Sequence, residues 1–249
     1  MNEENVQVYD FSGEGEILFI DKPLDWTSFD VIKKVRVLFD VRKVGHAGTL
    51  DPKATGLLIV CSGKKTKSIS QLVGLEKEYT GTFELGVKTP SFDSETTVYE
   101  RKDCSGITEK QIKDTAQSFY GKQLQLPPMY SAAKYGGKPL YQYARAGKTV
   151  ERNEREIDVT KFEILGVKNP YIDFCIACSK GTYIRSLIDE FGLRIGCGAT
   201  LSALRRTRIG DHHVSKAMTI EQLIDWRNSN FKNIDINDEV GSKHQRDTV

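Results

Sequence analysis

The sequence predicts an α+β protein. Short apolar or alternating runs that read as strands are interspersed with segments whose apolar residues recur at helical spacing. The two kinds of segment do not follow the strict β-α-β order of a parallel sheet. No internal repeat and no linker interrupts the 249 residues.

Taken in order, residues 1–14 read as a loosely held arm, and residues 16–21 (Glu-Ile-Leu-Phe-Ile-Asp) as a buried strand ending at Lys22-Pro23. Thr27 or Ser28 can then cap a helix through Phe39, with Val31, Ile32, Val35, Leu38 and Phe39 as its buried stripe. Residues 57–61 form a second buried strand, and residues 63–67 a basic turn. Over residues 78–85, Tyr79, Gly81, Phe83 and Leu85 share one face of a half-buried strand. Residues 86–95 read as a loop. Thr108-x-x-Gln111 is a capping box, and the helix behind it buries Ile112, Ala116 and Phe119 before Gly121 stops it. Residues 159–165 and 172–177 read as strands. Ile184, Leu187, Ile188 and Phe191 mark the next helix, and Thr219-x-x-Gln222 opens a last short one that Trp226 packs down. Residues 199–209 stand out for charge, with Arg205, Arg206 and Arg208 close together. Residues 228–249 read as a polar tail.

Residues 126–155 differ from the rest. They carry Pro127-Pro128, Gly136-Gly137, four tyrosines and scattered Lys and Arg. Two readings are open: a surface that tracks phosphates and stacks bases, or a long ordered loop with its own small aromatic core.

The 36 Lys and Arg against 34 Asp and Glu leave a net charge of +2. That excess does not mark a nucleic-acid binder by itself; any such character must come from local clustering. Five cysteines, an odd and sparse count, argue against a disulfide scaffold and fit a reducing cytoplasm. No run approaches the ~18 consecutive apolar residues of a membrane span, and no signal peptide precedes the first strand.

The chain is organised around residues 45–56, Gly-His-Ala-Gly-Thr-Leu-Asp-Pro-Lys-Ala-Thr-Gly. Its glycines permit positive φ and close approach of a ligand, and Pro52 biases Asp51 toward an extended or turn conformation. Spacing alone favours a plain polar turn, with Asp51 and Thr49 bonding their own backbone. A metal site is not expected. The lone Cys175-x-x-Cys178 lacks a second pair, and its two side chains point to opposite faces of a strand. Residues 56–66 miss the spacing of a phosphate-binding loop.

Gly45-His46-x-Gly48-Thr49-Leu50-Asp51-Pro52-x-Ala54-x-Gly56 resembles the catalytic motif of the TruB family of RNA pseudouridine synthases. Four further segments are similar to that family's motifs: residues 16–23, Lys77-Glu78-Tyr79, Gly181 to Leu187, and Leu204 to Gly210. The likeness covers roughly residues 15–226. It implies a catalytic domain over 15–227 on a mixed, mainly antiparallel sheet, with 126–155 as an insertion that clamps the T-arm of tRNA. The implied reaction is isomerisation of the T-loop uridine, position 55 of tRNA, to pseudouridine. No cofactor, no obligatory protein partner and a monomer are expected. The family's frequent C-terminal PUA domain is not expected in residues 228–249.

The chemistry needs few parts. A carboxylate can add to C6 of uracil or to the ribose C1′, so that the glycosidic bond breaks. The detached base then turns and rejoins through C5. A neighbouring arginine favours the ionised carboxylate, and a base extruded from folded RNA is received by an aromatic ring. Asp51 is the expected nucleophile, Arg185 its cationic partner, Tyr79 the stacking ring and Tyr183 the base that removes the C5 proton. His46 is expected to fill the gap left in the RNA, and the resemblance implies Leu204 as a substrate contact. Each has a structural alternative: Tyr79 and Tyr183 as packing, His46 as a loop hydrogen-bonder, Arg185 as a surface charge. An RNA-binding factor without chemistry, or the catalytic subunit of a guide-RNA complex, would use much of the same sequence.

Overall fold

The computed structural model describes residues 9–231. Thirteen strands run in chain order: β1 Ile17–Lys22, β2 Val44–His46, β3 Ala54–Ser62, β4 Lys77–Leu85, β5 Val87–Lys88, β6 Glu100–Arg101, β7 Gly121–Gln125, β8 Lys134–Tyr135, β9 Lys138–Pro139, β10 Arg155–Lys168, β11 Tyr171–Cys178, β12 Ala199–Ile209 and β13 His212–His213. Six α-helices join them: α1 Ser28–Leu38, α2 Ile69–Gly74, α3 Glu109–Gln117, α4 Leu140–Arg145, α5 Ile184–Ile195 and α6 Ile220–Asn230. The main sheet has the order β1-β3-β12-β4-β11-β10-β7, with β2 on β3 and β13 on β12. Its ladders are antiparallel except where β12 runs parallel to β3. This is the α+β class that the sequence predicts, on the mixed, mainly antiparallel sheet that the family resemblance implies.

Local signals set the helices. Thr27 is the cap of α1: its hydroxyl accepts the Asp30 amide while Asp30 accepts that of Thr27. Thr108 with Gln111 and Thr219 with Gln222 repeat the device on α3 and α6. The apolar stripe of α1 packs on β1 and β3, where Ile20, Leu58 and Val60 meet Val31, Val35 and Ile220. On the other half of the sheet, α3 and α5 cover β4, β10, β11 and β12 through a phenylalanine cluster, with Phe83 and Phe162 against Phe191.

Several expectations are corrected. The strand expected over 16–21 is buried on one face, since Ile17, Phe19 and Asp21 lie less deep than Leu18, Ile20 and Lys22. Of the arm, residues 9–14 are not loose: Phe11 is buried and stacks on Phe39 at 4.0 Å; residues 1–8 lie outside the described residues. The basic segment at 199–209 is a central strand, β12, between β3 and β4, and its arginines are accommodated there by carbonyl and carboxylate partners. The basic turn is a 3-10 helix, Gly63–Ser68. Residues 228–230 belong to α6 and Phe231 is its C-cap, while 232–249 of the expected tail lie outside the described residues. Within 126–155, β8 and β9 form a small hairpin, α4 follows it, and Arg155 already opens β10.

Candidate active site

The register of the sheet gathers the site. β12 sets Leu204 beside Ala54 on β3, three residues after Asp51, and Arg206 beside Tyr79 on β4. β11 ends at Cys178, opposite Lys77, and the chain then turns into α5. That turn brings Tyr183 and Arg185 to the same end of the sheet. Tyr183 precedes α5, and Gln125 of β7 clamps it. Gln125 Oε1 accepts the Tyr183 amide at 2.8 Å, and Gln125 Nε2 donates to the Tyr183 carbonyl at 3.0 Å.

Arg185 is buried and its guanidinium grips Asp51 with two hydrogen bonds. Nε donates to Oδ2 at 2.8 Å and Nη2 to Oδ1 at 3.0 Å. Nη1 donates to the Ser91 carbonyl at 2.9 Å and Nη2 to that of Tyr130 at 2.8 Å. Asp93, also buried, lies 3.5 Å from Nε. Burial works to lower the Arg185 pKa, but Asp51 and Asp93 outweigh it and hold it above the usual value. Burial pushes the Asp93 carboxyl up, against the pull of Arg185. The Arg185 side chain is 3% exposed and that of Asp51 36%. The carboxylate is thus anchored from behind and open in front.

The loop that carries Asp51 is tied at nearly every residue. Leu50 and Ser28 exchange hydrogen bonds: the Leu50 amide donates to Ser28 Oγ at 2.9 Å, and that hydroxyl returns to the Leu50 carbonyl at 3.2 Å. The Pro52 carbonyl accepts the Asp25 amide at 2.9 Å and Lys22 Nζ at 3.4 Å. The Asp51 carbonyl accepts the Ala54 amide at 3.0 Å. On the other side Arg206, 1% exposed, donates to the carbonyls of Gly48 at 3.1 Å, Thr49 at 3.5 Å and Leu57 at 2.8 Å. Two buried cations therefore hold the loop from opposite flanks. Burial brings Lys22 down to about 8, with Asp51 and Asp25 acting against the shift.

In front of Asp51 lies a pocket of about 380 Å³, within the range of small-molecule sites. Asp51, Tyr79, Tyr183, Arg185 and Leu204 line it, together with Lys77, Arg206 and Ser131. Five of the six residues singled out from the sequence thus converge. His46 does not line this pocket. It faces an adjoining cavity with Phe29, Tyr141 and Arg145, which shares Thr49, Leu50 and Asp51 with the first. Burial, with Arg206 nearby, lowers the His46 pKa. Tyr79 is 9% exposed, and burial pushes its phenol up, so it stays protonated near neutral pH. Lys77 donates to the carbonyls of Val73 at 2.5 Å and Leu75 at 2.6 Å, and burial brings it down to about 8.

Reading the sequence missed Arg206, Lys22, Ser28, Asp93 and Ser131. A signal existed for Arg206: strand alternation puts it on the face of Leu204. Ser28 and Lys22 lay within segments noted for other reasons. Nothing local marks Asp93 or Ser131, whose placement depends on Arg185 and on the root of the insertion.

Such a site, a buried arginine behind an open aspartate beside the central strands of a mixed sheet, belongs here to a known class. Residues 36–184 match the model of the TruB family pseudouridylate synthase N-terminal domain, and residues 185–235 that of the tRNA pseudouridylate synthase B C-terminal domain. The chain belongs to the TruB family of pseudouridine synthases. It is 48% identical over 217 residues to the tRNA pseudouridine synthase B of Chloroherpeton thalassium, spanning 85% of this chain and 90% of the relative. It is 48% identical over 219 residues to that of Chlorobaculum tepidum, spanning 86% and 91%. A chain of the crystallised Cbf5-Nop10-Gar1 complex superimposes with a TM-score of 0.67 at 28% identity, over 90% of this chain and 62% of that one. The two family models divide the chain at 184/185, yet β12 of the second part lies between β3 and β4 of the first.

Proposed function

We propose that this chain is a tRNA pseudouridine synthase that converts the T-loop uridine at position 55 to pseudouridine, with Asp51 as the nucleophile. The observation that carries the reading is the forked Asp51–Arg185 pair at the floor of a pocket walled by Tyr79, Tyr183 and Leu204. A pyrimidine swung out of its RNA enters between the Tyr79 ring and Leu204. The Asp51 carboxylate adds to C6 or to C1′, and the N1–C1′ bond breaks. The base turns, C5 bonds to C1′, and the Asp51 carboxylate is released from C6 or C1′; the C5 proton leaves to Tyr183 and a proton is returned to N1, so that none is consumed. One C–N bond is exchanged for one C–C bond, so the reaction is an isomerisation that consumes no energy source.

His46, next to Phe29, Tyr141 and Arg145 in the adjoining cavity, fills the space the base vacates. Residues 126–155 clamp the T-arm, with Arg145 set 5.4 Å over the Tyr141 ring. The protein works as a monomer in the cytoplasm without a guide RNA. Among the described residues no helix is long and apolar enough to cross a membrane.

The test is a bare tRNA transcript, the purified chain alone and a pseudouridine-specific chemical tag. Conversion at one T-loop uridine is expected. Asp51→Asn is expected to bind tRNA as before and convert none. Absence of conversion by the unaltered chain sinks the reading, and full conversion by Asp51→Asn sinks the role of Asp51.

A further inference from the structure

Ser131 stands at the root of the insertion, where the chain enters the Asp51 pocket. Its backbone is committed: the Tyr130 carbonyl accepts Arg185 Nη2 at 2.8 Å, and the Ser131 carbonyl accepts the Tyr141 amide at 3.0 Å. Its side chain is not. Ser131 is 4% exposed, and its Oγ has no hydrogen-bond partner among the described residues. The residue lines both the Asp51 pocket and the adjoining cavity. Buried hydroxyls are nearly always paired, and one left without a partner is costly. The residue lines the pocket while its hydroxyl is buried and unpaired, so a turn about the Cα–Cβ bond presents that hydroxyl to a ligand atom there.

We propose that the Ser131 hydroxyl donates a hydrogen bond to a ring carbonyl of the uracil in this pocket. The inference rests on the uridine-isomerase reading above and adds to it a specific contact with the base. The chemistry of uracil fits a single fixed donor. When the detached ring turns about the axis through N3 and C6, N1 exchanges places with C5 and the C2 carbonyl with the C4 carbonyl. A donor that faces one carbonyl before the turn faces the other carbonyl after it. The hydroxyl hydrogen rotates freely about its C–O bond, so no backbone group has to move. Ser131 thereby ties recognition of the base to the root of the insertion, one residue from the carbonyl held by Arg185.

The experiment is a cycle between the side chain and the base. Unaltered enzyme and Ser131→Ala are each given tRNA transcripts bearing uridine, 4-thiouridine or 2-thiouridine at the target. Sulfur is a poorer acceptor than oxygen, and comparing the pairs removes its intrinsic effect on reactivity. Ser131→Ala is expected to lower kcat/KM on the uridine transcript about three- to ten-fold, with tRNA affinity and melting temperature unchanged. At least one thio substitution is expected to slow the unaltered enzyme more than it slows Ser131→Ala. Equal slowing of both enzymes by both thio substitutions overturns the proposal, as does wild-type turnover by Ser131→Ala. Should Ser131→Ala melt lower, Ser131→Cys, which keeps the shape with a weaker donor, takes its place in the cycle with the same two outcomes. Failure of the unaltered enzyme on plain transcript instead overturns the isomerase reading, and this contact with it.

Discussion

Arg185 meets Asp51 through two hydrogen bonds, 2.8 and 3.0 Å long, and two further N–H groups, on Nη1 and Nη2, donate to the carbonyls of Ser91 and Tyr130. One buried guanidinium thus joins the Asp51 loop, the segment after β5 and the root of the insertion. A lysine cannot reproduce that fork. Arg185→Lys is expected to leave Asp51 misplaced and lower the single-turnover rate at least about 100-fold. Arg185→Met leaves Asp93 buried without its cation and is expected to lose about 3–5 kcal/mol of stability, read from urea unfolding. A lysine variant with the rate of the unaltered enzyme would refute this account.

Tyr79 separates two roles in one side chain. Its ring forms a pocket wall, and its hydroxyl interacts with Arg206. Tyr79→Phe keeps the wall and is expected to cost about ten-fold or less in rate on bound tRNA. Tyr79→Ala removes the stacking surface, worth about 1–3 kcal/mol per base, and is expected to be the slower variant by a clear margin. The reverse order in a single-turnover assay would show that the hydroxyl, not the ring, is the working part. Because burial raises the phenol pKa, no break from Tyr79 ionisation is expected between pH 6 and pH 9.

Gly48 and Gly56 both adopt positive φ, +101° and +105°, but their surroundings differ. A Cβ at Gly56 would lie 2.3 Å from the Arg206 carbonyl oxygen and 2.7 Å from its amide nitrogen. At Gly48 the nearest atom is the Arg206 Nη1, at 3.6 Å. Both substitutions to alanine carry the backbone strain, about 1–3 kcal/mol. Gly56→Ala must also force β3 from β12, the parallel pairing that brings Leu204 to the loop. It is expected to melt well below Gly48→Ala, and equal melting temperatures would contradict the close approach.

Helices α1, α3 and α6 were legible because their signals are local, whereas α2 and α4 were not read from the sequence. Thr27-x-x-Asp30, Thr108-x-x-Gln111 and Thr219-x-x-Gln222 each satisfy their own first turn, whatever lies elsewhere. β12 was hidden because Arg205, Arg206 and Arg208 crowd its second half, and in the fold they find carbonyl and carboxylate partners. Arg206 takes backbone carbonyls, Arg205 takes Asp21 at 2.6 Å, and Arg208 takes Glu76 at 2.8 Å. Asp51, Tyr79, Tyr183 and Arg185 lie in motifs, so their identities were readable in the chain. Their convergence was not, since it depends on the β12 register with β3 and β4 and on the turn between β11 and α5. Asp93 and Ser131 become meaningful once Arg185 is placed, because they share that one side chain as a partner or a neighbour.

Lys22 supplies a pH test of how the Asp51 loop is held. It is fully buried, and its Nζ donates to the carbonyls of Pro23 at 2.9 Å, Trp26 at 2.6 Å and Pro52 at 3.4 Å. Burial lowers its pKa from 10.5 to about 8, with Asp51 and Asp25 opposing. At pH 7 both the folded and the unfolded chain carry the proton, so the folded state bears the whole cost of the buried charge. Between about 8 and 10.5 the folded chain releases the proton while the unfolded chain keeps it, and stability from this group rises with pH. The difference, 10.5 − 8 = 2.5 pKa units, corresponds to about 3 kcal/mol when fully expressed. Lys22→Met lacks this titration. Cys61, near 11, and Cys178, near 12, are raised by burial and act in the opposite sense above about pH 9, but they are common to both proteins and cancel. Urea unfolding of the two proteins in parallel is expected to show the stability of the unaltered chain, relative to Lys22→Met, rising by about 2–3 kcal/mol from pH 7 to pH 10. A difference that stays flat across that window would mean that Lys22 keeps an ordinary pKa, and that the loop is not held by a charge taken out of water.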